Sequence, residues 1–413
     1  MKNKILVIGG GASGMVAAIT AAACGGDVTI YEKNERIGKK LLATGNGKCN
    51  LTNMDMSADM YHSENPSFVK NTLAKFGRDD TIGFFQSLGL VLKNKNGYIY
   101  PFSEQASSVL DVLRRGLDKN NVNIVCDCGV DAVIKNKTGF TVKCKDREEY
   151  FDKVILACGS SASLSKRERN IYGKNGLELT RQLGIKNTEI YPSLVQVVCR
   201  EGYFVSVSGV RCDCSITLYE NDNALCRERG ELQLTDYGIS GIPVFQMSGL
   251  IARGLKHGND MRCVIDLLPD YEDEAYEEFM RNRILDFKGD TLENFMLGIL
   301  NKKLNIMFIK QAGLKPTDRV EDSIIEKLIE ILCTLRQWVV TCSDTMGFDK
   351  AQVCAGGVCL DELDSDFESL DNPGLFVVGE LTDADGKCGG YNLQWAFSSG
   401  YLAGKAAAGA CSE

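Results

Sequence analysis

One stretch near the start of the chain limits its fold more than any other. Ile5-Leu6-Val7-Ile8 is a short apolar run, right for a buried parallel strand. It leads straight into Gly9-x-Gly11-x-x-Gly14, and the small apolar residues from Met15 to Ala23 then form a helix able to pack tightly on a sheet. Val28-Thr29-Ile30-Tyr31 is a second strand, closed by Glu32. Eighteen residues separate Gly14 from Glu32, the spacing expected of a carboxylate that holds ribose hydroxyls. Gly9 allows the tight turn, Gly11 lets a pyrophosphate approach the backbone, and Gly14 lets helix meet strand. The helix N-terminus, at Ala12 and Ser13, then binds the phosphates. The order predicts a Rossmann-type α/β dinucleotide site. An acid at 32 favours a ribose with a free 2′-hydroxyl, as in FAD or NAD.

The next segment discriminates between those two. From Glu32 and Lys33 through Lys40, Leu41, Thr44, Gly45, Asn46, Gly47, Lys48, Cys49 and Asn50 to Asn53 the chain is polar, Gly-rich and without a clear period. A plain NAD domain would proceed to another helix and strand. This stretch instead resembles the loop that runs along FAD towards the flavin in two-dinucleotide-binding-type flavoproteins. Further on, a strand over 152–156 enters the small-residue turn Ala157-Cys158-Gly159, similar to the second FAD motif of that superfamily. Residues 122–125 and 140–143 read as strands of a small sheet. Val130 sits where such proteins touch the adenine through backbone groups.

Near the other end, residues 374–378 form a buried strand running into Gly379-Glu380. Asp383, Gly390, Tyr391, Asn392, Leu393 and Gln394 follow, and a helix rich in small residues starts at about Trp395. A helix N-terminus beside the flavin pyrimidine ring would stabilise the negative charge of the reduced state. FAD is thus expected to be bound by both ends of the chain, with something inserted between.

The motifs GGGASGMVAA (9–18), EKNERIGKKLLATGNGKCNLTN (32–53), YPSLVQV (191–197), GELQLTDYGISGIPVFQMS (230–248) and GELTDADGKCGGYNLQWAFSSGYLAG (379–404) carry a more specific likeness. Through them the chain resembles the YhiN/BaiN-like flavoprotein family, also called the aminoacetone-oxidase family, over its full length. Many members carry a His where this chain reads Thr235-Asp236-Tyr237, and Ser-Gly-Pro where it reads Ser240-Gly241-Ile242-Pro243, which suggests a distinct subgroup. The resemblance implies a Rossmann-type FAD domain at 1–192 and 356–413, a β-barrel insert at 193–270 and 336–355, and a nested helical domain at 271–335. Strand-like runs at 194–199, 205–210, 215–219, 224–227, 263–267, 338–341 and 351–354 fit a barrel or sandwich. Apolar residues spaced by three and four predict one helix over 292–308 and another over 320–335.

Composition narrows the function. With 47 basic and 55 acidic residues, net −8, the chain is a poor general nucleic-acid binder. No run of about 18 uninterrupted apolar residues is present, so no transmembrane helix is expected. The apolar start after Lys2 and Lys4 could pass for a signal peptide, but Gly9, Gly10 and Gly11 interrupt it at once. Only His62 and His257 occur, which argues strongly against a multi-histidine metal site. The 17 cysteines contain no C-x-x-C and read as reduced, mostly buried thiols of a cytoplasmic protein. Cys49 reads as a packing residue, with a redox-active thiol as the alternative.

The chemistry expected is flavin chemistry. NADH or NADPH would pass a hydride through FAD to an electron-poor C=C of a small molecule, and the resemblance points to unsaturated 3-oxo bile-acid or steroid rings. Lys48 or Tyr391 would donate a proton or polarise a carbonyl, and Tyr61, His62, Arg78 and Tyr100 would line a cleft. Two alternatives stay open: an oxygen-dependent oxidase of an aminoacetone-like amine, and a flavin-bound nucleic-acid or partner-binding protein. Oligomeric state is open too.

Overall fold

The computed structural model describes residues 2–145, 147–162 and 176–409. Its contacts divide the chain into two compact units, 1–191 with 353–413 and 192–352.

The first unit is built on a five-stranded parallel sheet. β1 (Lys4–Ile8), α1 (Ala12–Ala23), β2 (Asp27–Tyr31), β3 (Asn123–Val125), β4 (Lys153–Leu156), β5 (Leu375–Val377) and α2 (Tyr391–Ala408) are its main elements, with strand order β5-β4-β1-β2-β3. β1 is central because it is apolar on both faces: Ile5, Leu6 and Val7 are fully buried. It pairs in register with β2 (Ile5 opposite Val28) and with β4 (Ile5 opposite Lys153). The reading of 122–125 as part of the small sheet is corrected here. Asn123–Val125 is the edge of the parallel sheet, beside Thr29–Tyr31. The separate small sheet is antiparallel, from Ala132–Lys135, Phe140–Cys144 and Arg147–Phe151.

α1 and α2 pack backbone against backbone. A Cβ on Gly400 would lie 2.4 Å from the Ser13 carbonyl oxygen, and one on Gly404 2.4 Å from that of Ala17. The small residues of 396–404 therefore serve helix contact along most of α2.

The second unit is a closed six-stranded barrel with helices. Its strands run Val197–Cys199, Gly238–Gly241, Asn223–Leu234, Arg211–Glu220, Met261–Asp266 and Trp338–Thr345 around the wall. The helical segment packs into the barrel's own core: Leu292, Phe295, Met307, Phe308, Leu328 and Leu332 share one buried cluster with Ile216, Ile265 and Trp338. Two local expectations are corrected. Residues 204–207 are a helical turn, not a strand, with Phe204 and Val207 buried and Val205 70% exposed, a three-residue spacing. The helix expected over 292–308 is two, Leu292–Met296 and Lys302–Gln311. Gly298 adopts φ +80° at the break, and the Arg283 guanidinium donates to the carbonyls of Phe295 and Leu297 that helix continuation would have used.

Most cysteines are free, and Cys49, Cys199, Cys214, Cys263, Cys342 and Cys354 among them are buried. Cys128 and Cys144 depart from the expectation of reduced thiols and are joined as a disulfide, their Cα atoms 6.0 Å apart. The hairpin of the small sheet brings that distance about, well inside disulfide reach. Among the described residues, no helix is long and apolar enough to cross a membrane and no cluster of His, Cys, Asp or Glu could hold a metal.

Candidate functional site

The turn after β1 is shaped by three glycines. Gly9 has φ +110°, and a Cβ there would meet the Ala157 carbonyl oxygen at 2.4 Å. A Cβ on Gly14 would stand 1.9 Å from the Gly9 carbonyl oxygen, so α1 can rest on the turn only through glycine. At Gly11 a Cβ would meet nothing within 4 Å, and no side chain caps α1 there. The N-terminal N–H groups of Ala12 and Ser13 thus begin the helix uncapped beside open space, an anion site by helix geometry. Glu32 is buried at the end of β2. Its Oε2 accepts from the Gly10 N–H at 2.7 Å and its Oε1 from the Asn34 backbone N–H at 2.9 Å and side-chain amide at 2.5 Å. Beside it, the Cys128 N–H donates to the Glu32 carbonyl at 2.9 Å, which brings Gly129, next to Lys33, and the buried Val130 to the same edge.

The loop after β2 folds back over the turn, the Gly38 N–H donating to the Gly10 carbonyl at 2.8 Å. Leu41 anchors it in the core, and the Thr44 hydroxyl donates to the Leu41 carbonyl at 2.6 Å. Gly45, Asn46 and Gly47 then take φ of +55°, +53° and +81°, and Cys49 +56°. The Lys48 and Cys49 N–H groups donate back to the Gly45 and Thr44 carbonyls, each at 3.1 Å, which closes the loop into a tight turn. Gly47 and Gly159, like Gly11, face open space, and the Asn50 side-chain oxygen is buried without a partner among the described residues. A bound dinucleotide would fill those gaps and give that oxygen a donor, so the residues present fit FAD.

The C-terminal strand closes the site. Glu380 is a knot of three segments: Lys40 Nζ pairs with it at 2.6 Å, the Cys354 N–H donates at 3.1 Å, and the Ser160 hydroxyl donates to the same carboxylate. The Gly379 N–H donates to the Ser399 hydroxyl at 2.9 Å, next to Ser13. Asp383 is buried and accepts from the Glu64 N–H at 3.0 Å; burial pushes its carboxyl above the usual range. Gly390, at φ +95°, begins α2 without a side-chain cap, and the Asn392 side chain binds both the N–H (2.8 Å) and the carbonyl (2.6 Å) of Gly386.

Two expected site residues turn inward. Gln394 is fully buried: its oxygen accepts from Thr52, while its nitrogen donates to Thr81 and Ser398. Leu393 packs on the core. Tyr391 is 5% exposed and its hydroxyl donates to the Asp55 carbonyl at 3.0 Å; burial pushes the phenol up to about 12. Lys48 remains half-exposed, 3.1 Å from Glu104, which also holds Lys93 at 2.6 Å. Those two ammonium groups, Lys93 first, hold the Glu104 carboxyl down to about 2. Of the residues expected in a cleft, Tyr61 donates to the Tyr391 carbonyl at 2.8 Å, and Arg78 to the Met54 carbonyl at 2.6 Å. Tyr100 lies near Lys48 and Glu104, and His62 faces Asp385.

Sequence reading missed Asn34, Ser160, Glu104 and Asp385. Asn34 carried a usable signal, an amide two residues after Glu32, the carboxylate expected to hold a ribose. The others join segments that are remote in the chain, which no spacing reveals.

Cys49 is fully buried, and desolvation pushes its thiol up to about 12. At pH 8 about one part in 10,000 is thiolate, against about a quarter for an ordinary cysteine. Iodoacetamide on the native protein is expected to label the exposed Cys333 and spare Cys49, with both labelled in denaturant. Mass spectrometry of the digest checks this, and native labelling of Cys49 would revive its redox reading.

Comparison with known proteins adds to this geometry. A family model described as "HI0933-like protein Rossmann domain" matches residues 3–406. The 3-dehydro-bile acid delta(4,6)-reductase of Clostridium scindens is 42% identical over 98% of this chain and 99% of its own length. Ribosomal RNA dihydrouridine synthases of Escherichia coli K12 and Haemophilus influenzae are 29% and 30% identical, over 96% and 97% of this chain and the same shares of their own. Among solved structures, 3-ketosteroid delta1-dehydrogenase from Sterolibacterium denitrificans superposes with a TM-score of 0.50 at 12% identity, covering 98% of this chain and 99% of that one. Identity that low shows a shared fold.

Proposed function

The chain belongs to the HI0933-like Rossmann family, an FAD-dependent oxidoreductase, and from that premise we propose that it saturates a C=C conjugated to a carbonyl in a small 3-oxo bile-acid-like or steroid-like substrate. NADH or NADPH is the proposed electron donor, and the cytoplasm the proposed compartment. The observation that carries the reading is the 42% identity, over nearly all of both chains, to a reductase whose name states such a substrate. The more distant relatives fit the same chemistry, since dihydrouridine is uridine with its carbonyl-conjugated C5=C6 bond saturated.

An RNA substrate is less well supported for this chain. The unit at 192–352 holds 18 Lys and Arg against 25 Asp and Glu, so nearly all of the net −8 lies on the inserted unit. RNA affinity draws on cations placed against phosphates.

FAD, when bound, supplies hydride transfer between donor and substrate. Gly11, Ala12, Ser13 and Gly14 are proposed to hold its pyrophosphate, Glu32, Lys33 and Val130 its adenosine end, and Thr44 to Asn50 with Gly390 to Asn392 its ring. Lys40, Ala157, Cys158, Gly159, Gly379, Glu380 and Asp383 would frame the middle. Lys48 is proposed to polarise the substrate carbonyl. The hydroxyl of Tyr391 is already committed to Asp55, so that residue is proposed to fix the loop.

The test is anaerobic mixing followed near 450 nm. Bleaching by NADH or NADPH, then rapid reoxidation by a 3-oxo-4,6-diene steroid acid and slow reoxidation by air, is the expected result. Reoxidation by unmodified ribosomal RNA alone would move the reading to RNA. Bleaching only by aminoacetone, with peroxide on admitting air, would make the protein an oxidase.

A further inference from the structure

The segment Tyr61–His62 pairs with Asp385–Gly386, His62 directly opposite Asp385. Asp385 is buried, its side chain 4% exposed, and its Oδ2 lies 3.6 Å from His62 Nδ1, while the His62 side chain is 44% exposed. This is an exposed imidazole backed by a buried carboxylate. The separation is long for a hydrogen bond, as such pairs often are before substrate arrives. Two bonds fix the pair to the start of α2, Asn392 holding Gly386 at both its N–H and its carbonyl, and a third joins the two segments, the Lys387 N–H donating to the Met60 carbonyl at 2.9 Å. Four residues separate Asp385 from Gly390, so the Asp385 Cα lies within about 18 Å of the helix N-terminus assigned to the flavin ring, and its chain neighbour Gly386 is bonded directly to Asn392.

We propose that His62, oriented by Asp385, is the acid that protonates the substrate carbon next to the carbonyl. The proposal rests on the enone-reductase reading above. The balance is simple. FAD, held by the residues proposed above, would supply the hydride drawn from NAD(P)H; addition of that hydride at the carbon β to the carbonyl moves the π pair onto the carbonyl as an enolate. The enolate collapses, its α carbon takes the proton from imidazolium Nε2, and the imidazole regains a proton from water. One C=C is reduced and one NAD(P)H oxidised. The hydroxyls of Tyr61 and Tyr391 are held by backbone carbonyls and are poor competitors for the role. A histidine changes charge between pH 5 and 8, which suits an acid recharged from solvent.

Charged and titratable side chains on the elements packed around His62 include Asp385 and Lys387 on the facing segment, Glu64 and Asp383, joined by the Glu64 N–H, Cys359 near both, and Lys70 and Lys75 on the helix Pro66–Lys75 that packs on Tyr61–His62. Asp385 stands within ion-pair distance of the imidazole, 3.6 Å from Nδ1.

The experiment compares half-reactions in stopped flow for the parent, His62→Gln, Asp385→Asn and His257→Gln. Flavin bleaching by NAD(P)H is the internal reference. Reoxidation by the enone is expected to slow at least about 100-fold in His62→Gln, typical of a lost general acid. Its rate should fall as pH rises through the imidazole range in the parent, fall at lower pH in Asp385→Asn, where the imidazolium loses its carboxylate, and be flat in His62→Gln. A second readout needs no cofactor. With two histidines in the chain, proton NMR of the ligand-free protein gives two C2–H titrations, assigned by the two His variants. Asp385→Asn should lower the midpoint of the His62 signal and leave His257 unchanged. Parent-like reoxidation in His62→Gln, or a His62 titration indifferent to Asp385→Asn, overturns the proposal. A parent enzyme that no enone reoxidises would instead overturn the reductase reading.

Discussion

Gly11→Ala leaves the ligand-free protein as stable as the parent and weakens FAD binding at least about 100-fold, about 2.8 kcal/mol. The reason is the asymmetry between neighbouring glycines. Gly11 has φ −82° and ψ −168°, extended backbone that alanine adopts freely, and its Cβ would enter space holding no protein atom within 4 Å. Only a ligand can clash there. Gly14→Ala is the counterpart. Its Cβ would stand 1.9 Å from the Gly9 carbonyl oxygen and 3.2 Å from Ala157 Cβ, so α1 must lift off the turn before any ligand arrives. It is expected to cost about 3 kcal/mol or more, lowering the apo Tm by about 6–12 °C. Calorimetry without FAD and titration with FAD separate the two effects. Gly11→Ala with unchanged FAD affinity would show that the pyrophosphate does not lie over α1.

Gly404→Leu is expected to abolish soluble expression. Its Cβ alone would sit 2.4 Å from the Ala17 carbonyl oxygen and 3.0 Å from the Ala17 Cα, and the branched remainder would force α2 away from α1. Backbone cannot yield as a flexible side chain can. The sheet would lose its cover on that face, exposing fully buried residues such as Val16 and Ala403. Loss on this scale exceeds the 5–15 kcal/mol that holds a typical domain together once several buried side chains are uncovered. Gly83→Ala is the control. Gly83 lies in the helix Arg78–Ser87 with open space at its Cβ, so alanine should stabilise by about 0.5–1 kcal/mol. Soluble, yellow Gly404→Leu protein would mean that α1 and α2 slide past each other without loss.

The first unit was legible where a local rule meets a local motif. Gly9, Gly11, Gly14 and Glu32 each have a stereochemical reason readable at a fixed offset. Alternation in the second unit announced five of the six barrel strands, missed Gly238–Gly241, and misplaced 205–210, which overlaps the helical turn Phe204–Val207, and 351–354, where Val353–Ala355 pairs with Tyr191–Ser193 outside the barrel. What stayed hidden depends on partners far off in the chain. Gln394 looked like a ring-binding amide because it follows Asn392, yet Thr52, Thr81 and Ser398 claim its side chain. Asn123–Val125 reads the same whether it joins a small sheet or the edge of the large one, since three residues carry no face preference strong enough to decide. The single helix expected over 292–308 failed because Arg283, on another helix, captures the carbonyls at its middle.

The split first unit also sets a timetable for synthesis. β1 comes early, but its sheet is not complete until β5 is made, about 370 residues later, and the face of α1 that meets α2 stays uncovered until α2 follows, although the helix Ala106–Lys119 covers another face sooner. At about 5–20 residues per second, that is a wait on the order of 20–70 s on the ribosome. The buried cluster of the second unit lies wholly within 197–342 and can assemble during that wait. The leading strand and helix, among the most apolar segments of the chain, would meanwhile be exposed. They are the segments for which a trigger-type chaperone should have most affinity, and pauses placed after the insert would prolong the risk of aggregation instead of relieving it.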